Sequence, residues 1–220
     1  MTALRTTLVV FTAILCAHPS VFAATFLSAN ITHDQETVRG PLTNSITGAP
    51  RPTSFGTATF TLNDGMTAMT FSATIFNIDV TGSQTPDTND NLVAAHIHAS
   101  PTVTLGTNAP VVWGFFGAPD NDINPDDIVV TPFSSGVGGV FTSKWDASEG
   151  NNTTLLAQLP NILSNHSYIN FHTTQFGGGE IRGTITVPDR GATAVLLGCS
   201  LLAIAALRRK WTNPERPSIA

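Results

Sequence analysis

Phe55-Gly-Thr-Ala-Thr-Phe-Thr-Leu62, then Asn63-Asp64-Gly65, then Ala68-Met-Thr-Phe-Ser-Ala-Thr-Ile-Phe76 is the stretch that decides the fold class. Apolar residues and Thr or Ser alternate along both runs, the period of a strand with one face buried and one in water. The Asn-Asp-Gly cluster between them is a turn signal, so the stretch predicts an antiparallel hairpin. Working outward, similar short runs rich in Val, Phe, Ile and Thr predict further strands at residues 25–32, 92–99, 110–116, 127–133, 137–145, 166–174 and 180–187. Residues 154–163 alone read as a short helix, and residues 41–54 and 81–91 as polar surface loops. No internal repeat is visible. The expectation is an all-β protein: a single domain forming an antiparallel Ig-like or Greek-key sandwich or barrel.

The two ends read differently from this middle. Arg5, the apolar run Leu8 to Ala17 and the small-x-Ala sequence Val21-Phe22-Ala23 form a signal peptide over residues 1–23, to be cut by signal peptidase between Ala23 and Ala24. Cys16 follows Leu15 rather than a small residue, which argues against lipidation there. At the other end an apolar run from Ala192 to Leu207 precedes Arg208, Arg209 and Lys210. As a helix it spans roughly 24 Å, short of the roughly 30 Å hydrocarbon core, so it reads either as a plain transmembrane anchor or as a transient membrane insertion before processing. A polar tail, residues 211–220, follows.

The domain between the ends covers residues 24–186, an ordinary size for one core. Both cysteines, Cys16 and Cys199, lie outside it, so its stability should not depend on redox conditions. Residues 24–187 hold 13 Asp plus Glu against 4 Lys plus Arg, a net of 4 − 13 = −9, against −5 for the whole chain. Such a surface is repelled by nucleic acid and by anionic lipid.

The tail Val187-Pro188-Asp189 with its continuation RGATAVLLGCSLLAIAALRRK resembles the PEP-CTERM family of bacterial sorting signals, in particular its VPD-type branch. Arg190 stands where that branch usually carries a small residue, and Trp211 to Ala220 extends past the usual basic end. The resemblance implies cleavage near the motif by an exosortase-type enzyme and delivery to the cell surface or extracellular matrix. The segments LVAAHIHASPTVTLGTNAPVVWGFFG, KWDASEGNNTTLLAQL and SYINFHTTQFGGGEIRGTI together resemble the CHRD domain, named from chordin. That resemblance implies a compact all-β domain of extracellular proteins and brings no established enzymatic activity.

Any chemistry should lie in two of these segments. His96 and His98 are two apart on a strand and share a face, while Tyr168, Asn170, His172 and Thr174 share a face of another. If those faces meet, three imidazoles converge as zinc or copper ligands, a pattern similar to the His-x-His copper ligands of Cu/Zn superoxide dismutase. The favoured reading is structural instead: buried histidines hydrogen-bonded to backbone, Asn170 or Tyr168. Glu180 and Arg182 share a face and are expected to pair with each other, with Gly177-Gly178-Gly179 making the turn before them.

Asp120, Asp122, Asn124 and Asp126 alternate like the oxygen ligands of a calcium loop. Pro125 and Thr131 occupy the places where an EF-hand needs Gly and Glu, so an EF-hand is excluded; a solvated turn is the favoured reading and a weak calcium site the alternative. No G-x-S-x-G, cysteine nucleophile, HExxH or phosphate loop is present in the domain. The expectation is a non-enzymatic exported bacterial protein of the cell surface or matrix, structural, adhesive or binding, without cofactor and with extracellular polysaccharide as a candidate partner. The alternative is a copper- or zinc-binding module, and a metal-dependent oxidoreductase if it turns over.

Overall fold

A computed structural model of the chain describes residues 24–188 together with residues 200, 201 and 204. The signal peptide with Ala23, Asp189 of the sorting motif, the basic cluster and the polar tail lie outside the described residues. Of the expected membrane segment only Ser200, Leu201 and Ile204 are described, and they are helical. Among the described residues no helix is long and apolar enough to cross a membrane, so the expected transmembrane helix has no counterpart there.

Nine strands form the domain: β1 (Thr25–Thr32), β2 (Phe55–Leu62), β3 (Ala68–Phe76), β4 (Leu92–Ala99), β5 (Val111–Gly117), β6 (Val129–Pro132), β7 (Gly138–Asp146), β8 (Ser167–Thr173) and β9 (Ile181–Thr184). One helix, α1 (Leu155–Leu163), precedes β8, and the Thr154 side chain caps it by accepting from the Ala157 N–H. The strands make a single antiparallel sheet in the order β5-β4-β8-β9-β1-β2-β3-β7-β6. Three connections, β3 to β4, β5 to β6 and β7 to β8, cross from one half of that order to the other.

The β2–β3 hairpin pairs Leu62 with Met69. Its turn is tied by Asn63, whose Oδ1 accepts from the N–H groups of Thr67 and Ala68 at 2.8 and 3.2 Å. The left-handed position falls on Met66, φ 54°, rather than on Gly65. A five-residue loop tied at its first residue leaves the strained position later than a two-residue turn would.

The sheet curls so that its alternating apolar face closes on itself. Ala58, Phe60 and Leu62 of β2 and Met69, Phe71, Ala73 and Ile75 of β3 meet Ile97, Trp113, Phe115, Ile169 and Phe171 from the far half in one core. Ring contacts bridge the halves: Phe71 to Phe115 at 4.7 Å and Phe141 to Phe171 at 5.3 Å between centroids. The result is a half-barrel, a single curled sheet in place of two separate ones.

β4 and β8 break the alternation. All seven residues of β8 and the last six of β4 are buried, because loops cover the outward face of this half of the sheet. That second covered face holds the histidines.

Candidate functional site

In the register of β4 on β8, Ala94 lies opposite His172, His96 opposite Asn170 and His98 opposite Tyr168. Ala95, Ile97, Ile169 and Phe171 go to the core, and His96, His98, Tyr168, Asn170 and His172 to the opposite face. Register shifts in the β4–β5 pairing flank both histidines, between Ala95 and His96 and between Ile97 and His98. Bulges of this kind re-aim side chains.

The three rings come together. Centroids are 4.8 Å apart for His96 and His172, 5.8 Å for His96 and His98, and 6.0 Å for His98 and His172. One ring nitrogen of each lies within 4.8 Å of the others, and this is the group of three or more His, Cys, Asp or Glu that converges among the described residues. All three are buried, at 4 to 7% exposure.

Their polar partners are loop carbonyls, not Asn170 or Tyr168. His96 Nε2 donates to Ala118 O at 3.1 Å, His98 Nδ1 to Ala109 O at 2.8 Å and His172 Nδ1 to Gly177 O at 3.0 Å. Tyr168 stacks flat on His98 at 4.7 Å, and the Arg182 guanidinium lies over the other aromatic ring of that stack, 4.7 Å from the Tyr168 centroid. Glycine makes the close approach possible: a Cβ on Gly114 would stand 1.8 Å from Pro119 O and 3.1 Å from the His96 ring.

Burial, reinforced by His172 and His98, lowers the His96 pKa to about 3. Burial lowers His98 to about 4 and moves His172 down as well. The rings are therefore neutral at pH 7, with one N–H each, and the carbonyl contacts say which nitrogen carries it.

The pairing of Glu180 with Arg182 expected from their spacing does not occur. Glu180, wholly buried, is gripped through both carboxylate oxygens by Arg51, with Ser54 and Thr173 hydroxyls donating to it as well. Arg182 turns the other way, to Gln35 O, Thr107 O and Asn108 Oδ1. Arg51 sits in a loop read from sequence only as polar surface, and no local signal pointed from it to Glu180.

Asp120, Asp122, Asn124 and Asp126 do not converge as the histidines do. Asp120 Oδ1 accepts from the Asp122 N–H and Asp126 Oδ1 from the Ile128 N–H, at 3.2 and 3.3 Å. Asp122 is buried, accepting from Ser143 Oγ and the Asp127 N–H, and burial raises its pKa to about 6. Glu149, which sequence reading passed over, holds this loop by accepting from the N–H groups of Ile123 and Asn124. Val187 and Pro188, the described part of the sorting motif, follow the end of β9 after two intervening residues, with the Val187 N–H donating to Asn165 Oδ1 at 3.0 Å.

Comparison with known families agrees with both resemblances. The VPDSG-CTERM motif matches residues 186–211, a sorting signal that suggests export to the cell surface and implies processing by an exosortase-like enzyme. No curated protein and no solved structure gives a significant match. The CHRD domain matches residues 27–185, the whole span from the first core residue, Leu27, to Ile185, and the chain belongs to the CHRD domain family.

Proposed function

We propose that the chain is an exported surface or matrix protein whose domain works by binding, and that its outward β1–β2–β3 face contacts neutral extracellular polysaccharide. The supporting observation is the chemistry of that face. Ser28, Asn30, Thr57, Thr59 and Thr70 are exposed on it, uncharged and able both to donate and to accept hydrogen bonds. At one end Phe55 and Phe76 stack at 4.8 Å while remaining 47% and 37% exposed, an apolar platform for the C–H face of a sugar ring. The net charge of −9 over the domain disfavours acidic polymers.

The placement of the sorting motif supports the same reading. Thr186 bridges to Ser28 and the motif begins at the next residue, so a cut there would leave every core residue in the released domain. The mature protein is then expected to start near Ala24 and end near Val187, Pro188 and Asp189.

Retention of the surface-released protein on immobilised neutral glucan, compared with alginate, tests the binding role. Retention on glucan alone is expected, with loss on combining Thr57→Asp and Thr59→Asp; equal passage through both columns would end the proposal. Intact mass of the released protein tests the processing: a species that keeps Trp211 to Ala220 would point to a retained anchor.

A further inference from the structure

We propose that His96, His98 and His172 form a site for one borderline divalent transition metal, zinc or copper, on the covered face of the β4–β8 pair. This goes beyond the polymer-binding reading and does not rest on it. The argument is a count of protons and lone pairs. Each ring gives its N–H to a backbone carbonyl, of Ala118, Ala109 and Gly177 respectively, and a neutral imidazole has only one. The remaining nitrogens, His96 Nδ1, His98 Nε2 and His172 Nε2, therefore present bare lone pairs.

Those three nitrogens are the ones that have no complementary donor. His98 Nε2 is buried without any hydrogen-bond partner. His96 Nδ1 and His172 Nε2 stand 3.1 Å apart, lone pair against lone pair, an arrangement that costs energy unless a cation lies between them. Nitrogens bound about 2.1 Å from a tetrahedral ion are about 3.4 Å apart, so this pair already has ligand spacing. One ring nitrogen from each of the three histidines lies within 4.8 Å of the others, so the triad as a whole is about 1.4 Å or less from ligand spacing, a gap that side-chain rotation closes.

A ring N–H held by a backbone carbonyl is also the usual outer support of a metal-bound histidine, fixing its tautomer and its direction. Here all three rings have it. His33, buried elsewhere in the fold, shows the contrast: Nδ1 faces Glu180 O at 2.6 Å and Nε2 faces Gly40 O at 3.3 Å, so neither nitrogen is aimed at another side chain. Three neutral imidazoles without a carboxylate select zinc or copper over calcium or magnesium, which take oxygen ligands. The three-ligand set leaves a fourth position for water or an incoming ligand.

The test uses the full chain, stripped with chelator, loaded with zinc sulfate or copper sulfate and desalted. The wild type and the control His166→Ala are expected to retain about one equivalent, and His98→Gln and His172→Ala less than about a tenth of that. Equal retention by wild type and the two triad variants would overturn the site. Should the variants fail to fold, wild-type protein loaded with cobalt(II) decides: intense visible bands of a four-coordinate nitrogen site support the proposal, whereas the weak spectrum of six-coordinate cobalt or no uptake refutes it.

Discussion

Trp113 and Trp145 lie face to face, ring centroids 5.4 Å apart and planes 2° from parallel, although their strands stand first and eighth in the order of the sheet. The contact marks where the curled sheet meets itself. Both rings are wholly buried, and the Trp145 indole donates to Glu149 O at 2.9 Å, which ties the core to the loop after β7. The Trp113 indole N–H has no partner.

Loss of this closure should be costly. Trp113→Ala is expected to destabilise the domain by about 3–5 kcal/mol in urea denaturation, from lost burial and the cavity left behind. Trp113→Phe should cost clearly less, because it keeps a ring and removes an unpaired buried N–H. Equal losses for the two variants would contradict the stacking role.

Arg51 and Glu180 join an early loop to the start of β9 across 129 residues. Arg51→Met leaves a buried carboxylate without its counter-ion and should cost about 3–5 kcal/mol. The double variant Arg51→Met with Glu180→Gln is expected to recover part of that loss, since the stranded charge goes with its partner. Denaturation of the single and double variants measures the coupling, and strict additivity would argue against it.

Asp90 and Asp122 give the domain an acid-side pH dependence of unusual sign. Burial, with neighbouring carboxylates, raises both from 3.8 to about 6. The folded chain therefore binds more protons than the unfolded chain between about pH 4 and pH 6, and these two groups make stability fall as pH rises through that window. Asp79 and Asp87 act oppositely: their carboxyls accept backbone N–H bonds that lower their pKa despite burial, so their contribution is present above pH 3.8 and is lost as pH falls through their folded values. Asp122→Asn should flatten the slope between pH 4 and pH 6 and raise stability at pH 7 by no more than about 3 kcal/mol. Thermal melts across that range measure it; an unchanged slope would reject the assignment.

Gly114 sets the distance between β5 and the loop that carries Ala118. Gly114→Ala puts a methyl group against Pro119 O and the His96 ring and should cost about 1–3 kcal/mol, with displacement of the His96 imidazole. The histidine ring resonances of variant and wild type report that shift, whereas Gly177→Ala, with nothing within 4 Å of its Cβ, should leave stability nearly unchanged.

Much of the fold was legible in local pattern. Residues 25–32, 55–62, 68–76 and 92–99 form strands with the expected bounds, and α1 starts one residue inside its expected span because Thr154 serves as cap. The two-residue spacing of His96 and His98, and of Tyr168, Asn170 and His172, correctly placed each set on one face. Local pattern failed where partners were distant. Glu180 and Arg182 share a strand and a face, and each answers to a different loop.

The sequence alone determined the strands, the C-terminal sorting motif, a domain without cysteine and the histidines as candidates, because periodicity, composition and short motifs are properties of neighbouring residues. Only the tertiary structure decided that the β4–β8 face is covered twice, by the core on one side and by loops on the other. It also chose the carbonyls of Ala118, Ala109 and Gly177 as the partners that set each imidazole's tautomer. A backbone carbonyl has no residue-specific signature, and these three are carried by separate loops, β5–β6 for Ala118, β4–β5 for Ala109 and β8–β9 for Gly177, which the fold packs over the β4–β8 face. Which nitrogen of each histidine is left bare is therefore a consequence of topology, invisible in the order of residues.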